Sequence, residues 1–186
     1  QRLQKEMMCL IRFPQSIANQ GAADNSNLSN SGIVAFHYGN GWIMAVVPPQ
    51  HNSATLHGKL SLEFPEIKAT VPVDVNASDV LKINEGVVLF RLDDTTIDTL
   101  KAAAPRKDAA SLLYQSRWAF TDCADSTEYC LWVEEDQKGV AAVKIIPDFK
   151  SNQDGTFAQQ NKNCGSFVGG LLFSSESAHC VGLIVG

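Results

Sequence analysis

The stretch that decides the fold is GIVAFHYGNGWIMAVVP, residues 32–48. Two runs of β-branched, aromatic and other apolar residues flank the segment Gly39-Asn40-Gly41, and this arrangement is typical of a β-hairpin. Similar short runs follow, and prolines stand at their ends or edges, where a missing backbone N–H is tolerated. We therefore expect a series of antiparallel strands, at TLHGKLSLEF, IKATVPVDV and EGVVLFRL.

A second β-rich set follows an Ala-rich segment, residues 95–115, which predicts a short helix and a connector. Its runs are RWAFTDCA, TEYCLWVEE, GVAAVKIIP, FVGGLLF and HCVGLIVG, with a polar loop over residues 151–163. Two sets of about five or six strands predict a mostly β protein of two antiparallel six-stranded β-barrels. We expect an N-terminal helix and the first barrel in residues 1–104, and the connector and second barrel in residues 105–186.

The first 13 residues, QRLQKEMMCLIRF, predict the short N-terminal helix. Leu3, Met7, Leu10 and Ile11 would share one apolar side of it. The apolar part of this segment is too short for a signal peptide, and it lacks a small-residue cleavage site.

Composition limits the class of protein. The chain has 186 residues, of which 45% are hydrophobic and 19% charged, so it can bury a substantial core. The net charge is −5 with scattered basic residues, so nucleic acid and membranes are not expected partners. Five cysteines without a CxxC pair indicate free thiols in a reducing, intracellular setting. The few histidines form no zinc-ligand pattern, so we expect no zinc site.

Three residues are candidates for catalytic chemistry. His51 follows an apolar strand that ends in a proline turn, so its imidazole can project into a neighbouring cleft. Glu85 precedes the apolar run VVLFRL, where a carboxylate can accept a hydrogen bond from an imidazole Nδ1–H. Cys164 lies at the end of a polar loop, next to Gly165. The other thiols lie in apolar runs, where a cysteine is usually an inert small side chain: Cys9, Cys123, Cys130 and Cys180.

The order His51, Glu85, Cys164, with gaps of 34 (85 minus 51) and 79 (164 minus 85), resembles a known family. The resemblance is to the chymotrypsin-like cysteine proteases of picornavirus-like RNA viruses, the 3C-like main proteases. It covers the chain from about residue 32 to its end. The matching pieces are VPPQH for the histidine turn, NEGVVLFRL for the acid strand, NCGSF for the nucleophile turn and VGLIVG for the pocket strand.

The resemblance implies a role for each matching residue. His51 would be the general base, Glu85 would orient it, and Cys164 would attack the scissile carbonyl. An oxyanion hole would come from the backbone N–H groups of Cys164, Asn163 and Lys162. The substrate pocket would be lined by Gly182, Leu183 and Ile184.

The resemblance also implies a biological setting. The expected activity is that of a cysteine endopeptidase cleaving a viral polyprotein, with host proteins as further polypeptide substrates. It would act in the cytoplasm of the infected cell and would need no cofactor. The family has a further strand after VGLIVG, so we expect the second barrel to lack its last strand here.

The sequence departs from the family pattern at its motifs. Lys162 stands two residues before Cys164, where the family has glycine. Gly86 separates Glu85 from its apolar strand, and a slip of one residue reverses the face of a strand. Ile184 stands where many members have a histidine that binds a P1 glutamine, so we expect another, apolar P1 preference.

Two alternatives remain open. Matching the pattern nucleophile-Gly-Gly-apolar instead puts Val168 in the nucleophile position, with Gly169-Gly170 after it. The gap to Gly182 is then 14 (182 minus 168) rather than 18 (182 minus 164), and the protein would be an inactive binding module with a protease fold. A plain β-barrel binding module without protease ancestry is the other alternative. The sequence favours Cys164, because a cysteine in a polar loop followed by Gly-Ser occurs in these proteases.

Overall fold

The computed structural model describes residues 2–13, 32–47, 56–84, 86–103, 127–151, 157–159, 167–175 and 179–185. These residues form two antiparallel β-sheets and two α-helices. The elements of the first part are α1 (Arg2–Lys5), β1 (Met8–Arg12), β2 (Ile33–Gly39), β3 (Trp42–Val46), β4 (Gly58–Phe64), β5 (Ala69–Val75), β6 (Leu81–Asn84), β7 (Val87–Arg91) and α2 (Asp94–Ala103). Those of the second part are β8 (Thr127–Glu135), β9 (Ala141–Ser151), β10 (Phe157–Gln159), β11 (Leu171–Ser174) and β12 (Cys180–Leu183).

The first sheet has seven strands in the order β5-β4-β1-β2-β3-β7-β6. The predicted hairpin is confirmed, since β2 pairs with β3 around Asn40 and Gly41, which have φ values of 51° and 83°. Both values lie in the left-handed region that tight hairpin turns require. The predicted strands at β4, β5 and β7 are also confirmed, whereas β6 was not predicted. Pro72 lies on β5, which is an edge strand as expected.

The N-terminal segment differs from its prediction. The helix ends at Lys5, and Met8–Arg12 is a strand that pairs with both β2 and β4. A strand buried on both faces is a continuous apolar run, and such a run also fits a helical pattern. Pairing on both edges satisfies the backbone hydrogen-bonding groups of this segment and explains why it forms a strand instead of a helix. Its side chains enter two different apolar clusters: Cys9 and Ile11 on one side, Met8 and Leu10 on the other.

The second sheet has five strands in the order β10-β9-β8-β11-β12. The predicted strands TEYCLWVEE and GVAAVKIIP are confirmed as β8 and β9, and β9 extends further, to Ser151. The short strand β10 lies within residues 151–163, which were expected to be a loop. Neither sheet closes into a six-stranded barrel within the part of the chain that the structure describes.

The buried apolar residues form three clusters, which the two sheets separate. One cluster lies on the concave side of the first sheet and includes Phe64, Phe90 and the helix residues Ile97 and Leu100. A second cluster lies between the two sheets, and a third lies on the other face of the second sheet. Burying these three clusters supplies most of the favourable free energy of folding.

Helix α2 confirms the short helix expected within residues 95–115. Asp93 caps it, because its Oδ1 accepts a hydrogen bond from the Thr96 N–H at 2.6 Å. The hydrogen bond with Thr96 lowers the pKa of the Asp93 carboxyl. The boundary expected between residues 104 and 105 lies outside the described residues and stays a prediction. Among the described residues, no helix is long and apolar enough to cross a membrane.

Arg12 joins the two sheets near one end of their junction. Its Nε donates to Glu63 Oε2 on β4 at 2.8 Å. Its Nη1 donates to Glu135 Oε1 on β8, and its Nη2 donates to the Gly139 carbonyl oxygen at 3.0 Å. Partial burial acts to lower the pKa of the Arg12 guanidinium. The two carboxylates outweigh this effect, and the pKa is raised. One guanidinium therefore binds groups from both sheets.

Candidate functional site

A short turn, Phe167–Gly169, leads into strand β11 where the two sheets meet. The Gly170 N–H donates to the Phe167 carbonyl oxygen at 2.9 Å and closes the turn. The Gly169 N–H donates to the Ile184 carbonyl oxygen at 2.8 Å, and the Ile184 N–H donates to the Gly170 carbonyl oxygen at 2.9 Å. The turn is thereby fixed to the end of strand β12.

Both glycines of the turn are required by close packing. Gly169 has φ +93°, and a methyl group there would lie 2.9 Å from the Val34 carbonyl oxygen on β2. A methyl group at Gly170 would lie 2.6 Å from the Cys130 Sγ on β8. Only a residue without a side chain fits either position. The pattern Val-Gly-Gly therefore has a structural cause, and it places the turn against a strand from each sheet.

Val168 is the residue at the centre of this turn, and its side chain is half-buried. Its isopropyl group has no lone pair and no exchangeable proton. It can therefore neither attack a carbonyl carbon nor form a covalent intermediate. At this point the chain offers backbone N–H groups and apolar contact surface, and no nucleophilic side chain.

The three residues expected to line a substrate pocket face two different sides of β12. Ile184 is 7% exposed and packs in the third cluster with Phe167 and Leu172. The Phe167 ring makes edge-on contacts with Trp132 and Phe149, at centroid distances of 5.8 and 6.0 Å. Ile184 is thus a core residue in the described part of the chain, and the apolar P1 preference expected from it stays a prediction.

Gly182 and Leu183 line an apolar cavity of about 270 Å³ between the sheets. The wall from the first sheet consists of Phe36, Tyr38 and Met44. The wall from the second sheet also includes Leu171 and Cys180. Sequence reasoning did not find this cavity, because the residues that form it come from two strand pairs, β2–β3 and β11–β12, that are far apart in the chain.

The remaining candidate residues lie outside the described part of the chain: His51, Glu85, Cys164, Asn163 and Lys162. The structure does describe a residue close in sequence to His51 and one close in sequence to Glu85. These two residues are in contact, because the Val47 N–H donates to the Gly86 carbonyl oxygen at 2.7 Å. Val47 is four residues before His51 (51 minus 47), and Gly86 directly follows Glu85. Val47 and Gly86 therefore meet where β3 ends and β7 begins.

The described thiols match the expectation that they are inert. Cys9, Cys130 and Cys180 are all buried. Burial strongly raises the pKa of the Cys9 thiol. Burial also raises the pKa of Cys180 to about 11, although a hydrogen bond with the Gly182 backbone acts in the opposite direction. Thiolates are therefore scarce at Cys9 and Cys180 near neutral pH. Cys123 lies outside the described residues.

The described histidines have no role in the turn. His37 is fully buried, and its Nε2 accepts a hydrogen bond from the Gly41 N–H at 2.9 Å. This hydrogen bond supports the β2–β3 hairpin. His57 and His179 are exposed. No group of three or more His, Cys, Asp or Glu side chains suited to a metal ion occurs among the residues that the structure describes.

Comparison with known proteins gives the fold. No protein-family model and no curated protein matches the chain. Among solved structures, a catalytically inactive tobacco etch virus protease complexed with substrate is similar, with a TM-score of 0.54 and 11% identity over 98% of this chain and 72% of that one. A catalytically active form of that protease complexed with product has a TM-score of 0.54 and 14% identity, over 98% of this chain and 68% of that one. The fold therefore resembles that of a chymotrypsin-like viral cysteine protease.

Proposed function

We propose that this chain binds an extended polypeptide through a chymotrypsin-like protease fold and does not cleave it. The observation that carries the proposal is the Phe167–Gly169 turn, which precedes β11 and is hydrogen-bonded to Ile184. In this turn the family pattern of a nucleophile followed by two glycines is filled by Val168-Gly169-Gly170. A valine in that position cannot form the acyl intermediate on which proteolysis depends.

The packing of the turn supports its match to the nucleophile position. Gly169 contacts Val34 of the first sheet, and Gly170 contacts Cys130 of the second. A nucleophile serving a cleft between two sheets has to lie at such a junction. The 14-residue gap from Val168 to Gly182 (182 minus 168) further supports the match, since these two segments are neighbours through the Gly169–Ile184 hydrogen bond.

The proposed ligand is a polypeptide because of the fold. Two of the similar structures hold a ligand of the protease, one its substrate and the other its product. An inactive protease fold keeps the surfaces that recognise an extended chain, while losing only the chemical step. The apolar side chains Val168 and Leu183 favour apolar rather than charged segments.

A cysteine endopeptidase is the second candidate function. In it Cys164 would be the nucleophile, His51 the general base and Glu85 its orienting acid, acting on a viral polyprotein in the cytoplasm of the infected cell. One observation favours this candidate. The Val47–Gly86 hydrogen bond brings together the segments that lead to His51 and Glu85, as a catalytic pair requires.

A peptide experiment tests the proposal. The chain is incubated with a pool of synthetic peptides that vary in their apolar residues, and both retained peptides and cleavage products are identified by mass spectrometry. We expect retained peptides and no products. The variant Val168→Arg should lose retention, because a charged, longer side chain would block the turn. Val140→Arg is the matched control, since Val140 is 59% exposed on the β8–β9 hairpin.

Two results would contradict the proposal. The first is retention that is equal in Val168→Arg and Val140→Arg. The second is cleavage that disappears in Cys164→Ala and in His51→Ala, which would establish the endopeptidase instead.

A further inference from the structure

The turn that joins β2 to β3 contains a chemically reactive pair of residues, Asn40-Gly41. Asparagine is thermolabile, because the backbone nitrogen of the next residue can attack its side-chain carbonyl carbon, and a glycine in that next position obstructs the attack least. Asn40 is exposed, and its side-chain amide forms no hydrogen bond with a described residue. The amide is therefore free to rotate toward the Gly41 nitrogen.

The fold itself requires this pair at the turn. Asn40 has a φ of 51° and Gly41 a φ of 83°. Asparagine and glycine are the residues that adopt such left-handed backbone angles most readily. A Cβ atom on Gly41 would also lie 2.5 Å from the Ile97 Cδ1 on α2. A larger residue after Asn40, which would slow the attack, is therefore disfavoured both by the backbone angle and by packing.

An imidazole lies at the proton that this attack has to remove. The Gly41 N–H donates a hydrogen bond to His37 Nε2 at 2.9 Å, so this ring nitrogen carries no proton and can accept one. His37 is fully buried, and bulk water therefore does not compete for Nε2. The N–H proton lies in the peptide plane, whereas the nitrogen attacks from above or below that plane. His37 can thus hold the proton while the Asn40 side chain approaches.

We propose that Asn40 is a site of self-modification, with His37 as the general base. His37 Nε2 takes the Gly41 N–H proton while the Gly41 nitrogen forms a bond to Asn40 Cγ. The tetrahedral intermediate then expels ammonia, whose nitrogen recovers the proton from the imidazolium, and a five-membered succinimide remains. Water opens this ring at either of its two carbonyl groups and leaves aspartate or isoaspartate at position 40. The proposal does not depend on whether the chain binds or cleaves peptides.

The two products differ in what they do to the hairpin. Both add one negative charge close to Arg91, whose Nε donates to the Asn40 carbonyl oxygen at 3.2 Å. Aspartate keeps the backbone intact and, like asparagine, tolerates the left-handed region. Isoaspartate routes the backbone through the side chain and adds a methylene to the turn, so it should weaken the pairing of β2 with β3.

The conversion of Asn40 is followed by peptide mass spectrometry while the folded chain is incubated in water enriched in ¹⁸O. Heavy oxygen enters position 40 only when a succinimide is hydrolysed. The reference is a synthetic peptide of residues 36–45, which has the same sequence without the fold. We expect conversion to be about tenfold or more faster in the folded chain, because only there is the Gly41 N–H held on the base.

Two variants separate basicity from hydrogen bonding. His37→Gln keeps an acceptor for the Gly41 N–H but cannot take its proton, and it should slow the conversion by about tenfold or more. Asn40→Gln is the matched control and should incorporate no heavy oxygen at position 40, since its longer side chain would have to close a larger ring. Circular dichroism shows whether each variant is folded.

Two results would overturn the proposal. One is a conversion rate in the folded unchanged chain that is no higher than in the peptide, a comparison that needs no variant. The other is a folded His37→Gln variant that converts Asn40 as fast as the unchanged chain.

Discussion

Replacing Arg12 by methionine is expected to weaken the junction between the two sheets. Methionine keeps an unbranched apolar stem but removes the guanidinium. The change deletes the hydrogen bonds to Glu63 Oε2 at 2.8 Å and to the Gly139 carbonyl oxygen at 3.0 Å, together with the bond to Glu135. It leaves two carboxylates near each other without their shared cation.

The magnitude follows from how exposed these groups are. The Arg12, Glu63 and Glu135 side chains are 28%, 24% and 16% exposed. A fully exposed ion pair contributes roughly 0–1 kcal/mol, whereas removing one partner of a buried pair costs about 3–5 kcal/mol. Partial exposure lies between these limits, so we expect a loss of about 2–4 kcal/mol in the free energy of unfolding. At roughly 2–4 °C per kcal/mol for a chain of this size, Tm should fall by about 4–16 °C.

Urea unfolding followed by circular dichroism measures this loss. Arg91→Met is the matched control, because Arg91 pairs with Asp94 at 3.3 Å and their side chains are 42% and 87% exposed. That variant should change the unfolding free energy by less than about 1 kcal/mol. The reasoning would be refuted if Arg12→Met lay within about 0.5 kcal/mol of the unchanged protein, or if both variants lost equal stability.

Three further perturbations test single features of the fold. Gly169→Ala should lower the free energy of unfolding in urea by about 2–4 kcal/mol, because the φ of +93° at Gly169 and the nearby Val34 carbonyl oxygen leave no room for a methyl group. A loss below about 0.5 kcal/mol would contradict this geometry. His37→Leu should cost about 1–3 kcal/mol, since the Gly41 N–H loses its acceptor, and an unchanged unfolding midpoint would show that this bond contributes nothing. Burial raises the pKa of Cys180 to about 11, so folding favours the protonated thiol; its contribution is fully present below about pH 9 and lost as pH rises toward about 11. Urea unfolding across this range should show a smaller alkaline loss in Cys180→Ala, and identical pH dependence in both proteins would contradict the burial of this thiol.

The β character of both halves could be predicted because turn residues and alternating apolar residues are local signals. Gly39-Asn40-Gly41 fixes a hairpin through left-handed backbone angles, and these depend only on the residues of the turn. Strands β4, β5, β8 and β9 alternate or are rich in β-branched residues, so their pattern matched their structure.

The missed elements depend on partners distant in the chain. Residues 8–11 are apolar on both faces of the strand because two strands and two clusters surround them, and a buried helix can have the same composition. Residues 81–83 of strand β6 are exposed, with Leu81 at 49% and Ile83 at 55%, so they show no buried face that would produce a pattern. Its pairing with β7 alone makes it a strand.

The candidate site could be predicted only in part. The Val-Gly-Gly motif is visible in the sequence, but its meaning depends on the contacts of Gly169 with Val34 and of Gly170 with Cys130. Gly169 and Val34 are 135 positions apart in the sequence (169 minus 34). No local sequence pattern reveals a contact over that distance. The roles of His51, Glu85 and Cys164 stay predictions.

The most direct test of the central claim is the rate at which iodoacetamide modifies Cys164, measured by peptide mass spectrometry across pH. The measurement is made in the unchanged protein and in His51→Ala. If Val168 occupies the nucleophile position, Cys164 should titrate near the ordinary cysteine pKa of about 8.5, and His51→Ala should not change its rate. Fast modification well below that pH, lost in His51→Ala, would show a thiolate paired with an imidazole and would contradict the account.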